Sequence, residues 1–167
     1  MNFNYSNPVH IYFGEAKLSF IREYIKDNHK IIAFCSRSVL KSYPILDKIR
    51  SIVPNCEMTI YTDILSNPGL KDIQNTIDLY QKEKIDLVLG IGGGSVLDYA
   101  KAFAYMRNKE ETLEEVLSRS KYTQNDKAGI PFIAMPTTSG TGSEVTCWAT
   151  IWDMEHKQRK ILQVLLL

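Results

Sequence analysis

Two loops in this 167-residue chain carry residues suited to holding a phosphorylated ligand. The first is GIGGGS, Gly90 to Ser95. Gly92, Gly93 and Gly94 lack side chains and permit unusual backbone angles, so a phosphate can come close to the main-chain amides. A helical pattern starts near Val96 and aims free N–H groups and partial positive charge at the same place. Ser95 can cap that helix or donate to a phosphate. In a GxGxxG frame starting at Gly90, Ser95 holds the last position, and no GK[ST] follows, so neither a Rossmann fingerprint nor a P-loop is present. The second loop is PTTSGTGSE, residues 136–144, where Thr137, Thr138, Ser139, Thr141 and Ser143 alternate with Gly140 and Gly142. Many neutral donors and close backbone approach suit the phosphates and ribose of a dinucleotide. The bland alternatives are a plain glycine turn and a flexible linker. Three consecutive glycines cost more backbone entropy than a turn requires, and a linker does not belong directly after a buried strand. Asp98 and Lys101 lie one turn apart in the helical pattern. Their spacing fits equally a weak surface ion pair and a device that orders the loop.

The loops need strands before them, and the pattern supplies them. Compact apolar runs at KIIAFC (30–35), DLVLGI (86–91) and IPFIAM (130–135) read as strands buried on both faces. EMTIY (57–61) is a shorter β-branched run, and residues 8–13 alternate as a short strand closed by Gly14. Helical spacing covers residues 16–28, 40–53, 71–82 and 96–106. Asn67-Pro68-Gly69 is a turn, and residues 144–152 read as strand or extended chain. Alternating strand and helix predict one α/β domain over residues 1–167, a Rossmann-like fold with a mostly parallel sheet flanked by helices. Ligands of such sheets bind at the carboxyl ends of strands, where both loops lie.

Hydrophobic residues make up 44% and charged residues 23%, which is a globular composition. A net charge of +1 gives no basic field to attract nucleic acid or acidic lipid. No apolar stretch is long enough to span a bilayer, and the N-terminus lacks the pattern of a signal peptide. Cys35, Cys56 and Cys147 form no CxxC pair, and a reduced, cytoplasmic setting is expected.

GIGGGSVLDYAK (90–101) and IPFIAMPTTSGTGSEVT (130–146), in this order and spacing, resemble the paired N-terminal signatures of the iron-containing (group III) alcohol dehydrogenases. The opening NPVHIYFGE and the Asn67-Pro68 turn are similar to that family as well, so the resemblance runs from about residue 7 to residue 160. It implies a dehydroquinate synthase-like N-terminal domain that binds NAD or NADP. It also implies a C-terminal helical domain in which one aspartate and three histidines hold iron or zinc. The reaction implied is hydride transfer between nicotinamide and a small alcohol or aldehyde, with the metal polarising the substrate oxygen. By position, Gly92, Gly93, Gly94 and Ser95 would hold the pyrophosphate; Asp98 is counted with them among the cofactor-binding residues. Thr137, Thr138, Thr141 and Ser143 would line the nucleotide and its nicotinamide end. Asn67 would contact the adenosine side, Lys160 would reach the nicotinamide ribose, and the Thr150 backbone would lie against the cofactor. Family members often form dimers, so a homodimer is an expected partner.

The sequence departs from the family's pattern in several places. Many members carry an aspartate after the strand matching KIIAFC, where it binds the adenosine ribose and repels a 2′-phosphate. Here Ser36 takes that place and Arg37 follows, which predicts NADP over NAD, with Arg37 pairing the phosphate. The alternative is that Arg37 simply faces water. His10, His29 and His156 match no ligand position, so no metal site is expected in this stretch. The chain stops at Leu167, before the family's metal ligands, on an apolar KILQVLLL. The expectation is a shortened chain, whether by premature stop, frameshift or design, that is inactive by itself. Trp148 and Trp152, in CWATIWD, fit either a substrate pocket or packing. That segment resembles family members that reduce phosphonoacetaldehyde to 2-hydroxyethylphosphonate. The rival functions are a stand-alone nucleotide-binding module, a dehydroquinate synthase-like or glycerol dehydrogenase-like relative, and a fragment without catalysis.

Overall fold

The computed structural model describes residues 7–119 and 128–164. Its centre is a four-stranded parallel sheet built from β1 (Lys30–Cys35), β2 (Glu57–Tyr61), β3 (Leu87–Gly92) and β4 (Phe132–Pro136), in the spatial order β2-β1-β3-β4. Parallel strands need crossovers, and these are helical: α1 (Arg37–Ser42) and α2 (Ile45–Ile52), then α3 (Leu70–Leu79), then α4 (Gly94–Met106) and α5 (Leu113–Ser118). A separate antiparallel hairpin, β5 (Trp148–Asp153) with β6 (Gln158–Gln163), follows the sheet.

Period-two alternation divides the core into two layers. Ile31, Ala33 and Cys35 of β1 and Leu87, Leu89 and Ile91 of β3 pack with Val39, Leu46 and Ile49. Ile32, Phe34 and Val88 face the other way, against Ile73, Ile77 and the α4 residues Tyr99 and Phe103. Helices therefore cover both faces, which explains why the central strands β1, after Lys30, and β3 are apolar throughout rather than alternating. On the α4 face β3 carries Gly90, where an added Cβ would lie 3.2 Å from both Ala100 and Leu97. That glycine lets the helix settle on the sheet.

The chain leaves β1 toward α1 and α2 on one face and leaves β3 toward α4 on the other, while β1 and β3 are neighbours. Their outgoing connections diverge, and such a switch point is where open α/β sheets bind ligands.

Several expectations about elements change. Residues 8–13 form no strand, and Phe13 is 93% exposed. The helix expected at 16–28 is a 3-10 helix, Lys17–Glu23. The single helix expected at 40–53 is two, because Pro44 forces Tyr43 into an extended conformation (φ −140°, ψ 132°) between them. α5 had no expectation, although Thr112 and Glu115 form a reciprocal capping box at its start. Within residues 144–152, only the end from Trp148 is a strand.

Candidate functional site

The glycine loop and the threonine loop touch. The Thr137 amide donates to the Gly92 carbonyl at 3.0 Å, continuing the β3–β4 pairing past the sheet. A Cβ on Gly93 would lie 3.1 Å from Thr138 Oγ1, and one on Gly94 would lie 2.9 Å from Thr141 Cγ2. A Cβ on Gly92 would meet Val96 at 2.8 Å. The glycine run is thus demanded by packing of the second loop and of α4 onto it. Unusual backbone angles are not the reason, because none of the three has a positive φ; in this region that conformation belongs to Gly140 (φ 101°) and Gly142 (φ 64°) of the second loop.

α4 begins at Gly94, with Gly93 as N-cap and no side chain capping it. Ser95 therefore sits inside the first turn and leaves the cap position to Gly93. The uncapped N-terminus of this 13-residue helix presents the positive end of its dipole at the crevice. Thr137, Thr138 and Thr141 are exposed beside it. A narrow glycine floor, a helix N-terminus and a rim of hydroxyls fit the diphosphate of a dinucleotide.

Under the rim lies a buried cluster. Lys101 is 2% exposed, and its ammonium donates to Ser143 Oγ (3.2 Å), the Thr146 carbonyl (3.0 Å) and the Trp148 carbonyl (2.7 Å). Asp98 accepts from the Ser143 hydroxyl through Oδ1 and from the Thr150 amide (2.9 Å) through Oδ2, and its Oδ1 stands 3.6 Å from Lys101 Nζ. The two readings of Asp98 and Lys101 are thereby resolved: the pair orders the loop and ties β5 to α4. Burial pushes the Lys101 ammonium below the usual lysine range, and Asp98 opposes that shift. Ser143 and Thr150 were expected against the ligand. Ser143 is buried with its hydroxyl engaged inside this cluster, and the Thr150 N–H is taken by Asp98. Nearby, Glu144 Oε2 is buried with no hydrogen-bond partner among the described residues.

The adenosine edge expected from sequence lies after β1 and β2. Ser36 caps α1, its hydroxyl accepting from the Val39 amide at 3.3 Å. Arg37 faces water and also has a partner: its Nη2 is 2.9 Å from Asp63 Oδ1, with side chains 70% and 77% exposed. Asn67 is exposed at φ 112°, in the turn that docks the hairpin through the Trp152 amide and the Pro68 carbonyl (2.8 Å). Trp152 is half-buried there, while Trp148 is 49% exposed.

Lys160 lies on β6, its Nζ 3.3 Å from Asp153 Oδ2. The same carboxylate accepts from the His156 amide (3.1 Å) and meets His156 Nδ1 (2.8 Å). These contacts, the His156 backbone N–H foremost, push Asp153 down to about 2.

Sequence reasoning missed Asp63, Asp153 and Glu144. Asp63 had a readable signal, since it follows a strand run neighbouring the one that precedes Arg37. The other two had none, because their partners are fixed by the hairpin and by the loop's fold. Among the described residues no group of three or more histidine, cysteine, aspartate or glutamate side chains comes together that could hold a metal ion. No helix among the described residues is long and apolar enough to cross a membrane.

Fold, paired loops and helix N-terminus define a Rossmann-like α/β domain. The family model of iron-containing alcohol dehydrogenases matches residues 8–165, and the chain belongs to that family. It is 27% identical over 150 residues to the NADPH-dependent aldehyde reductase YqhD of Escherichia coli, covering 90% of this chain and 39% of that protein. It is 29% identical over 163 residues to NADH-dependent butanol dehydrogenase A of Clostridium acetobutylicum, covering 95% and 41%. The crystal structure of NADH-dependent butanol dehydrogenase A from Thermotoga maritima superposes with a TM-score of 0.84 at 28% identity, covering 97% of this chain and 41% of that one. The chain spans about two fifths of the length of these relatives.

Proposed function

We propose that residues 1–167 form the dinucleotide-binding domain of a metal-dependent alcohol dehydrogenase or aldehyde reductase, in a cytoplasmic enzyme. The observation that carries this reading is the contact of the Gly92–Gly94 run with Thr138 and Thr141 at the N-terminus of α4. When bound, NAD(P) supplies the hydride acceptor or donor. The chain's own residues bind and orient it. Backbone amides at the start of α4 face the diphosphate, and Thr137, Thr138 and Thr141 offer hydroxyls to its oxygens and to ribose. Asp98 and Lys101 hold the threonine loop in place from beneath, with Ser143 as their link.

Ser36 in place of a carboxylate and the adjacent Arg37 guanidinium support NADP(H) over NAD(H). One relative is named for NADPH and two for NADH, so the family offers both outcomes. Lys160 is proposed to reach the nicotinamide ribose from the hairpin, held by Asp153. The substrate class is a small alcohol or aldehyde. Resemblance of the segment around Trp148 to phosphonoacetaldehyde reductases makes that aldehyde the first to assay with the full-length enzyme. The iron or zinc that the family resemblance implies is proposed to be held by residues outside this domain.

Fluorescence titration of the purified chain with NADPH and NADH tests the domain's role. Saturable binding is expected, and Gly94→Val should abolish it by driving Cγ atoms into Thr141 while the sheet stays folded by circular dichroism. If neither dinucleotide binds the folded wild-type chain, the reading fails.

A further inference from the structure

The geometry points to Asp63 as a specificity-determining residue that restrains Arg37 and so weakens discrimination in favour of a ligand bearing a ribose 2′-phosphate. This inference rests on the dinucleotide reading above and deepens it.

Topology places the two residues together. β1 and β2 are parallel neighbours, in register from Lys30 opposite Glu57 to Phe34 opposite Tyr61. Each chain segment leaves the sheet at the same edge, β1 into Arg37 and β2 into Asp63. The guanidinium Nη2 lies 2.9 Å from the Asp63 carboxylate. Ser36, the residue that would otherwise face the adenosine ribose, is neutral and spends its hydroxyl on the α1 cap and on Ser38 (3.1 Å). Arg37 and Asp63 are therefore the charged pair at this edge, one of each sign, and they oppose each other toward an incoming anion.

The pair's exposure, 70% and 77%, makes it exchangeable. An exposed ion pair contributes little, and a doubly charged phosphate with several acceptor oxygens is a stronger partner for guanidinium than one carboxylate. Arg37 can therefore leave Asp63 for a 2′-phosphate. The cost is that the phosphate then arrives beside an uncompensated carboxylate, which repels it. A 2′-hydroxyl meets no such repulsion, and a carboxylate can accept its hydrogen bond. Asp63 thus does from β2 part of what an aspartate after β1 would do. The sequence position that lacks a carboxylate has one delivered across the sheet edge.

Paired titrations of the chain test this. Wild type, Asp63→Asn, Arg37→Ala and the double variant are titrated with NADPH and NADH at low ionic strength. 2′,5′-ADP and 5′-AMP serve as probes of the adenosine end alone. Asp63→Asn is expected to raise the NADPH-over-NADH affinity ratio about three- to tenfold, with a parallel gain for 2′,5′-ADP over 5′-AMP. The gain should shrink at high salt, since both groups are exposed. In the Arg37→Ala background the same substitution should give a smaller gain, because only the direct repulsion is left to relieve and no arginine is released. Unchanged ratios in Asp63→Asn, with wild-type binding intact, overturn the inference and leave the dinucleotide reading standing. A full gain that persists without Arg37 also overturns it, because Asp63 would then act without restraining the arginine. Failure of the wild type to bind any of the four ligands brings down the dinucleotide reading itself.

Discussion

Two aspartate–cation pairs flank the candidate site, and they differ chiefly in their access to water. Asp98 and Lys101 lie beneath the threonine loop, with side chains 15% and 2% exposed, and the lysine ammonium has three protein acceptors. Asp63 and Arg37 stand at the sheet edge, 77% and 70% exposed. The buried pair cannot exchange partners without leaving a charge or a carbonyl stranded in a poor dielectric, so it acts as a rivet. The exposed pair is held weakly and can yield to a ligand. One loop is therefore fixed from within, while the opposite edge stays adjustable.

The largest effect should come from breaking the rivet. Asp98→Ala leaves the Lys101 ammonium buried without its counter-charge and removes the acceptor of Ser143 and Thr150. A loss of about 3–5 kcal/mol of stability is expected in urea unfolding; a loss below ~1 kcal/mol would show that water reaches Lys101. Lys101→Met keeps the aliphatic volume but strands the Thr146 and Trp148 carbonyls, and should cost somewhat less, about 2–3 kcal/mol. Hydrogen exchange should then quicken first in residues 143–150, which would localise the damage to the loop and the start of β5. Uniform quickening across the sheet would contradict that localisation.

The next effect is pH-dependent. Asp153 has its folded-state value depressed to about 2 from an ordinary 3.8. A depressed carboxylate stabilises the fold above its unfolded value, and that contribution is lost as pH falls through the folded one. Wild type should therefore lose hairpin stability between about pH 4 and pH 2. Asp153→Asn should lack that component while being less stable near neutrality. Parallel acid curves for the two proteins would contradict the assignment. The smallest effect belongs to the exposed pair: Asp63→Asn should change the melting free energy by no more than about 0.5 kcal/mol, even though it shifts ligand preference. A large stability change would mean that the pair is structural after all, and the contrast between the two pairs would collapse.

How far the fold was legible in sequence differs between its elements. KIIAFC and DLVLGI declared themselves as strands because burial on both faces leaves almost only apolar residues, whereas IPFIAM, expected to be equally buried, is the edge strand and only half-buried. The split at Pro44 was readable from the residue type, yet the helical spacing of its neighbours masked it. Residues 8–13 alternate like a strand, but alternation describes only side chains, and a strand also requires a partner backbone.

Sequence by itself determined the α/β class, the two phosphate-suited loops and their position at strand ends, because strand burial and glycine–hydroxyl chemistry are local properties. Tertiary structure alone decided what the glycines and charges are for. Gly93 and Gly94 make room for Thr138 and Thr141, Lys101 disappears under the loop, and Arg37 meets Asp63. Each of these pairings joins residues dozens of positions apart. Whether a charged side chain is a rivet or a switch depends on how much water the folded chain leaves around it.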